Sequence, residues 1–288
     1  MTPNTRAALF MMVSMAAFTI NDIVMKYAGL TVPLAQLVVL RGVVACALIY
    51  GLARHLGALR FDFSRSDWTM LGLRALGEAS ATYFFLSALL RMPIANLTAL
   101  MQALPLVVTL GAALFFGETV GWRRYAAIAV GFCGMLLIVR PGPDGFSADA
   151  LYALGAVLCV TLRDLATRKL SDQVPSMSVA LTSALTVLAL AGIGSLGSAW
   201  APVDLFMGGL IACAAVFVFF GYLFSVMVMR TGEVSFTAPF RYTGLLWALG
   251  LGWLVFGDWP DGITMLGAGV VVASGLFTFY RERVRAAS

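Results

Sequence analysis

Seven ionisable side chains sit inside stretches otherwise too apolar to hold them: Asp22, Arg41, Arg74, Glu78, Arg163, Asp164 and Arg241. Charge in such surroundings is costly, so each of these groups is expected to face a partner or a wet cavity. Asn21, Tyr83, Gln102 and Tyr242 add neutral donors and acceptors close by. Arg74 and Glu78 are four residues apart and can pair on one helix face, and Asp22 and Lys26 repeat that spacing. The set holds four guanidiniums and three carboxylates, and the surplus cation suits an anionic group on a small solute. This is chemistry of recognition. A catalytic site would need a nucleophile with a base, or a metal cluster. The chain has one histidine, His55, beside arginines in a loop, and no HExxH. Lys26 and Lys169, the two lysines, lack the glycine before and the Ser or Thr after that a phosphate-cradling loop requires. No enzyme activity, cofactor, metal or nucleotide drive is therefore expected.

The elements that must position these groups are membrane spans. Of the 288 residues, 61% are hydrophobic and only 11% charged, against about 25% charged in soluble domains, so lipid must be the main solvent. The apolar runs are long and do not alternate, which selects helices over barrel strands. Ten spans are expected, near 5–27, 33–54, 67–90, 94–116, 121–139, 147–170, 176–196, 202–229, 233–256 and 261–281. Pro33, Arg60–Asp67, Pro93, Glu118–Gly121, Pro141–Gly145, Pro175, Pro202, Gly232 and Asp258–Gly262 separate them. The first stretch reads as a span and not as a removable leader, because it has a counterpart at mid-chain. Cys46, Cys133, Cys159 and Cys213 show no metal spacing and read as packing residues.

Lysine and arginine set the orientation. With the N-terminus inside, the inner segments carry 12 of them (Arg6; Arg54, Arg60, Arg65; Arg123, Arg124; Arg168, Lys169; Arg230; Arg281, Arg283, Arg285). The outer segments carry three: Lys26, Arg91 and Arg140. Both termini are expected in the cytoplasm. The net charge of +5 thus serves topology, and no nucleic acid is expected as partner.

The chain also repeats itself. Asn21-Asp22 before Lys26 and Val32-Pro33 matches Arg163-Asp164 before Arg168 and Val174-Pro175, at an offset of 142. Arg91 with Thr98-Ala99 matches Arg230 with Thr237-Ala238, and Phe116-Gly117-Glu118 matches Phe256-Gly257-Asp258. Each half, 1–140 and 147–288, holds five spans. An odd number threads the second half upside down, as in secondary transporters whose site lies near mid-depth between the repeats. The expected fold is all-α and integral to the membrane, with two inverted five-helix repeats around a central cavity. Gln102 and Arg241 fall about eight residues into corresponding spans, and with Arg41 and Arg163 are expected to line that cavity. Pro105 and Pro239 interrupt the same two spans as kink or gate points. Tyr83, Tyr242 and Trp247 are candidate walls, and both tyrosine hydroxyls should seek polar partners. Two stripes of small residues, Ala95, Ala99, Ala103 and Gly244, Ala248, Gly252, allow close helix contact.

Several of these residues resemble the drug/metabolite transporter superfamily, in particular its EamA-type members: Lys26 near the end of the first helix, Pro33 and Arg41-Gly-Val-Val-Ala45 in the second, Pro105 and Gly117-Glu118 in the fourth, and Gly131 and Gly134 in the fifth. The resemblance covers essentially the whole chain and is most like the YddG-type amino-acid exporters of the bacterial inner membrane. It implies ten helices around a central cavity, a single copy sufficing, and export of amino acids or similar small amphipathic solutes. Ser183 stands where the repeat would place a second Arg41, and Pro239 is out of register with Pro105, so the halves differ chemically. A drug or other metabolite efflux carrier of the same superfamily is the rival. A channel would need a continuous polar stripe, which these scattered charges do not form.

Overall fold

The computed structural model describes residues 1–117, 120–142, 146–171, 173–231 and 234–286, with their side chains except at 226, 229, 230, 234, 235 and 282–286. Glu118, Gly145, Gly232 and the side chains of Arg230, Arg283 and Arg285 lie outside that description. The described chain is helical nearly throughout: α1 (Pro3–Ala28), α2 (Leu34–His55), α3 (Arg65–Leu89), α4 (Ile94–Met101), α5 (Leu104–Phe116), α6 (Trp122–Val139), α7 (Ala148–Arg168), α8 (Ser176–Gly194), α9 (Leu205–Thr231), α10 (Val234–Thr237), a 3₁₀ segment (Ala238–Tyr242), α11 (Thr243–Phe256) and α12 (Gly262–Ala286).

The sequence supplies the ends of these helices. Thr2, Ser64 and Ser147 cap α1, α3 and α7, each hydroxyl accepting the N–H three residues on at 3.1–3.2 Å. Pro33, Pro93 and Pro175 stand directly before α2, α4 and α8. Gly117 and Gly257 close α5 and α11 in the left-handed region, at φ 66° and 70°, in corresponding places of the two halves.

Among the described residues, eight helical stretches are long and apolar enough to cross a membrane, with α4 and α5 together counting as one. The two other expected spans depart from that pattern for identifiable reasons. α3 has 25 residues, about 37 Å at helical rise, but carries Arg65, Asp67, Arg74 and Glu78. The ninth is broken into α10, the 3₁₀ segment and α11. The break follows from Pro239, which has no N–H to give the preceding turn. Pro105 acts likewise: the fourth span leaves helix at Gln102-Ala103 and resumes as α5. Large apolar side chains such as Leu114, Phe115, Trp122, Phe206 and Leu254 face outward, as lipid contact requires.

Helix packing respects an exchange of the halves. α1 packs on α9 as α7 packs on α3, α2 on α9 as α8 on α3, and α1 on α11 as α7 on α4 and α5. The pairs α2–α8, α4–α11 and α6–α12 map onto themselves. α4 is enclosed at the centre, where Ile94, Leu97 and Leu100 are fully buried. α6 meets α12 backbone to backbone: a Cβ at Gly134 would stand 2.9 Å from the Gly267 carbonyl oxygen, and one at Gly267 would stand 2.7 Å from that of Gly134. Gly252 lies against Ile94 and Gly244 against Met15, so the small-residue stripe of α11 seats on α4 and α1. Cys46 is buried, as expected of a packing residue, but Cys133 and Cys213 are exposed on outer helix faces, where apolar residues need no core.

Candidate functional site

The charged residues of both halves meet where α1, α2, α3, α7 and α9 converge. α3 approaches α7 closely because position 77 is glycine: a Cβ there would stand 3.1 Å from the Arg163 backbone nitrogen. That crossing brings Glu78 to Arg163, whose Nη1 donates to Glu78 Oε2 at 3.2 Å. Arg163 also holds its chain neighbour, through Nη2 to Asp164 Oδ1 at 2.8 Å and Nε at 2.9 Å. The second oxygen of Glu78 accepts the Tyr222 hydroxyl of α9 at 3.0 Å. One arginine and one tyrosine thus satisfy a buried glutamate.

The first half contributes a softer arrangement. Asn21 Nδ2 donates to Asp22 Oδ1 at 2.9 Å, and Arg41 Nη1 donates to Asn21 Oδ1 at 3.2 Å. An amide therefore stands between Arg41 and Asp22. Arg74 donates to the Thr167 hydroxyl at 2.9 Å and to the Ser183 hydroxyl. Ser183 is the counterpart of Arg41, so α3 supplies from the side the cation that α8 lacks. All seven ionisable groups belong to one electrostatic network. Arg41 feels Asp22 and Glu78; Arg74 feels Glu78, Arg163 and Asp164; Arg241 feels Asp164 and Arg163.

The expected i, i+4 pairs are not the ones formed. Glu78 pairs with Arg163, while the hydrogen bonds of Arg74 go elsewhere. Lys26, in the last turn of α1, turns from Asp22 to the Met92 carbonyl at 2.7 Å and Asp258 at 3.6 Å, over the Phe256 ring. Cross-helix partners win because they satisfy two elements at once. In the other half Lys169, one residue past the counterpart of Lys26, lies 4.4 Å from the Phe116 ring centroid.

The structure brings together Asn21, Asp22, Arg41, Glu78, Arg163 and Arg241. Arg241 sits in the 3₁₀ segment created by Pro239, is exposed, and makes no hydrogen bond or ion pair among the described residues. Gln102 lies at the break of the fourth span, partly exposed and likewise without a polar side-chain partner among the described residues. Three candidates stand apart. Tyr83 is five residues beyond Glu78, on another helix face, and joins Phe84 and Tyr152, with Arg91 stacked on Tyr152. Trp247 is exposed on α11, beside the packed stripe. Tyr242 is buried against Phe279, and its hydroxyl, contrary to expectation, has no hydrogen-bond partner among the described residues; it occupies the space left by the missing side chain of Gly275.

Tyr222 is the site residue absent from the expectations. Its signal was present: Gly221-Tyr222 repeats Gly77-Glu78 at 221 against 77, near the offset of the other matches. Gly221 makes the matching close approach, where a Cβ would stand 2.7 Å from the Phe18 ring, and Tyr222 packs edge-on to Phe18 at 5.3 Å. Glu78 and Tyr222 are thus counterparts bonded to each other across the exchange. Away from this network, a hollow of about 360 Å³ lies between α2, α9 and residues 200–203, lined by Leu40, Val44, Trp200, Val203 and Ile211. Gln36 closes it, its amide exchanging both hydrogen bonds with the Ala201 backbone at 2.8 Å.

A helical membrane chain with two matching halves and a shared central network has the build of a transporter, and comparison with known proteins agrees. Residues 5–140 and 148–280 each match the EamA-like transporter family. The chain belongs to that family, a multi-pass membrane transporter. It is 27% identical to the pseudopaline exporter CntI of Pseudomonas aeruginosa, over 89% of this chain and 90% of that one. It is 24% identical to an S-adenosylmethionine uptake transporter of Rickettsia bellii, over 94% and 92%. It is 31% identical to a riboflavin transporter of Rhizobium johnstonii, over 80% and 75%. These relatives carry different solutes in different directions, and none of the three is named for amino-acid export. A solved crystal structure, 19% identical, shares the fold with a TM-score of 0.64 over 96% of this chain and 98% of that one.

Proposed function

We propose that this chain is a secondary-active transporter that exports small amphipathic solutes, most simply amino acids, across the bacterial inner membrane by alternating access, with both termini cytoplasmic. The observation that carries the reading is the network shared by the halves: four guanidiniums, three carboxylates, and an exposed Arg241 with no hydrogen bond or ion pair among the described residues. A solute carboxylate would meet Arg241 and Arg41, and its ammonium would meet a carboxylate of the same cluster. The breaks at Pro105 and Pro239 interrupt corresponding spans of the two halves and would give the bending that alternating access needs. A single copy suffices, because the two repeats already supply both walls.

The relatives named for S-adenosylmethionine and riboflavin favour a second reading, a larger metabolite as cargo. Counterflow in proteoliposomes separates the two, using labelled L-phenylalanine, S-adenosylmethionine, riboflavin and ethidium. Exchange of L-phenylalanine supports the amino-acid reading; exchange of S-adenosylmethionine, riboflavin or ethidium without L-phenylalanine replaces it. Full exchange by Arg241→Ala would remove the site assignment.

A further inference from the structure

The three carboxylates of the central network are not equally committed. Glu78 accepts from Arg163 at 3.2 Å and from Tyr222 at 3.0 Å, and is buried. Asp164 accepts from two nitrogens of Arg163, at 2.8 and 2.9 Å. Asp22 accepts only the neutral Asn21 amide, at 2.9 Å, and is partly exposed. The cations that might claim it are engaged elsewhere. Arg41 of α2 donates to the far side of the Asn21 amide, and Lys26 of α1 itself is held by Asp258 and the Met92 carbonyl. From the other packed elements, Tyr222 of α9 gives its hydroxyl to Glu78, and Arg74 of α3 is bound to Thr167 and Ser183. The 3₁₀ segment brings Arg241, whose charge interacts with Asp164 but which makes no hydrogen bond or ion pair among the described residues, and Tyr242; α10 and α11 carry no ionisable side chain among the described residues.

A carboxylate that among the described residues takes its one hydrogen bond from a neutral amide, with no direct ion pair, has room for one cation at a time. We propose that Asp22 is the coupling site of this transporter, where a proton and the ammonium of a zwitterionic solute compete. The inference rests on the transport reading above. When the solute is bound, its ammonium donates to Asp22 while its carboxylate lies against Arg41 and Arg241. When water delivers a proton, Asp22 becomes a neutral acid, the charge-assisted bond to the ammonium is lost, and the solute leaves. One carboxylate cannot hold both, so solute and proton travel in opposite senses and a proton gradient drives export. The other half carries Asp164 at the matching place, but Arg163 already fills the role of the cation there.

Two measurements on the full chain test this. In proteoliposomes, an acid-inside gradient should accumulate tritiated L-phenylalanine; Asp22→Asn should reduce that gradient-driven uptake about tenfold, the loss of one charge-assisted contact, while Asp22→Glu retains it. Gradient-driven uptake by Asp22→Asn equal to the parent overturns the proposal, as does parent exchange that ignores the gradient. In detergent, infrared difference spectra between about pH 9 and pH 5 should contain the C=O stretch of a carboxylic acid that disappears in Asp22→Asn. If the parent exchanges no solute, the transport reading fails, and this band still decides: its loss in the variant supports the proton site, and its persistence overturns it.

Discussion

Corresponding positions in the two halves carry the same carboxylate in opposite company. Asp164 follows Arg163 and is locked to it at 2.8 Å; Asp22 follows Asn21 and is held only by its amide at 2.9 Å. One substitution within the repeat, arginine for asparagine, gives one side of the centre an ion pair and the other a neutral hydrogen bond. Inverted repeats therefore supply a shared frame, within which the two halves give the same carboxylate different partners.

The contrast is breakable by substitution. The largest effect is expected from Arg163→Ala, which strands Glu78 and Asp164 together and should cost about 3–5 kcal/mol in unfolding free energy in detergent. Asn21→Ala, at the matching place, should cost about 1 kcal/mol. Equal costs would show that the halves are not specialised. Tyr222→Phe removes one donor to a charged acceptor and should destabilise by about 1–3 kcal/mol, with Glu78 still paired to Arg163. Ser183→Ala should cost about 1 kcal/mol, since Arg74 keeps Thr167. Smallest is Lys26→Met, which removes an ion pair and a ring contact and should cost about 1 kcal/mol, read as a shift in thermal midpoint.

Much of this was legible in the sequence because it rests on local chemistry. Spans follow from apolar length, helix breaks from Pro105 and Pro239, and the list of central charges from the cost of placing them in lipid. The match of residues 21–33 to residues 163–175 announced the repeat. What the sequence concealed was choice among partners. An i, i+4 rule offers Arg74 to Glu78 and Lys26 to Asp22, but each acidic group is also within reach of another helix, and only packing decides. Gly77 is the example: its missing side chain admits the α7 backbone, and that approach hands Glu78 to Arg163. Tyr83 lies apart from the network because depth along a helix does not fix the face a residue takes. Tyr222, a tyrosine among phenylalanines, reads as lipid contact until the repeat aligns it with Glu78.

The backbone contact of α6 with α12 has one more consequence. Exchanging the halves maps this pair onto itself, so it lies on the pseudo-twofold line. When such a molecule swaps one open face for the other, points on that line stay still, while contacts such as α1–α9 and α3–α7 trade geometries. In the proposed alternating-access cycle, Gly134 and Gly267 would keep their bare main-chain contact and act as its fulcrum, and a bulky residue at either would wedge the two halves apart.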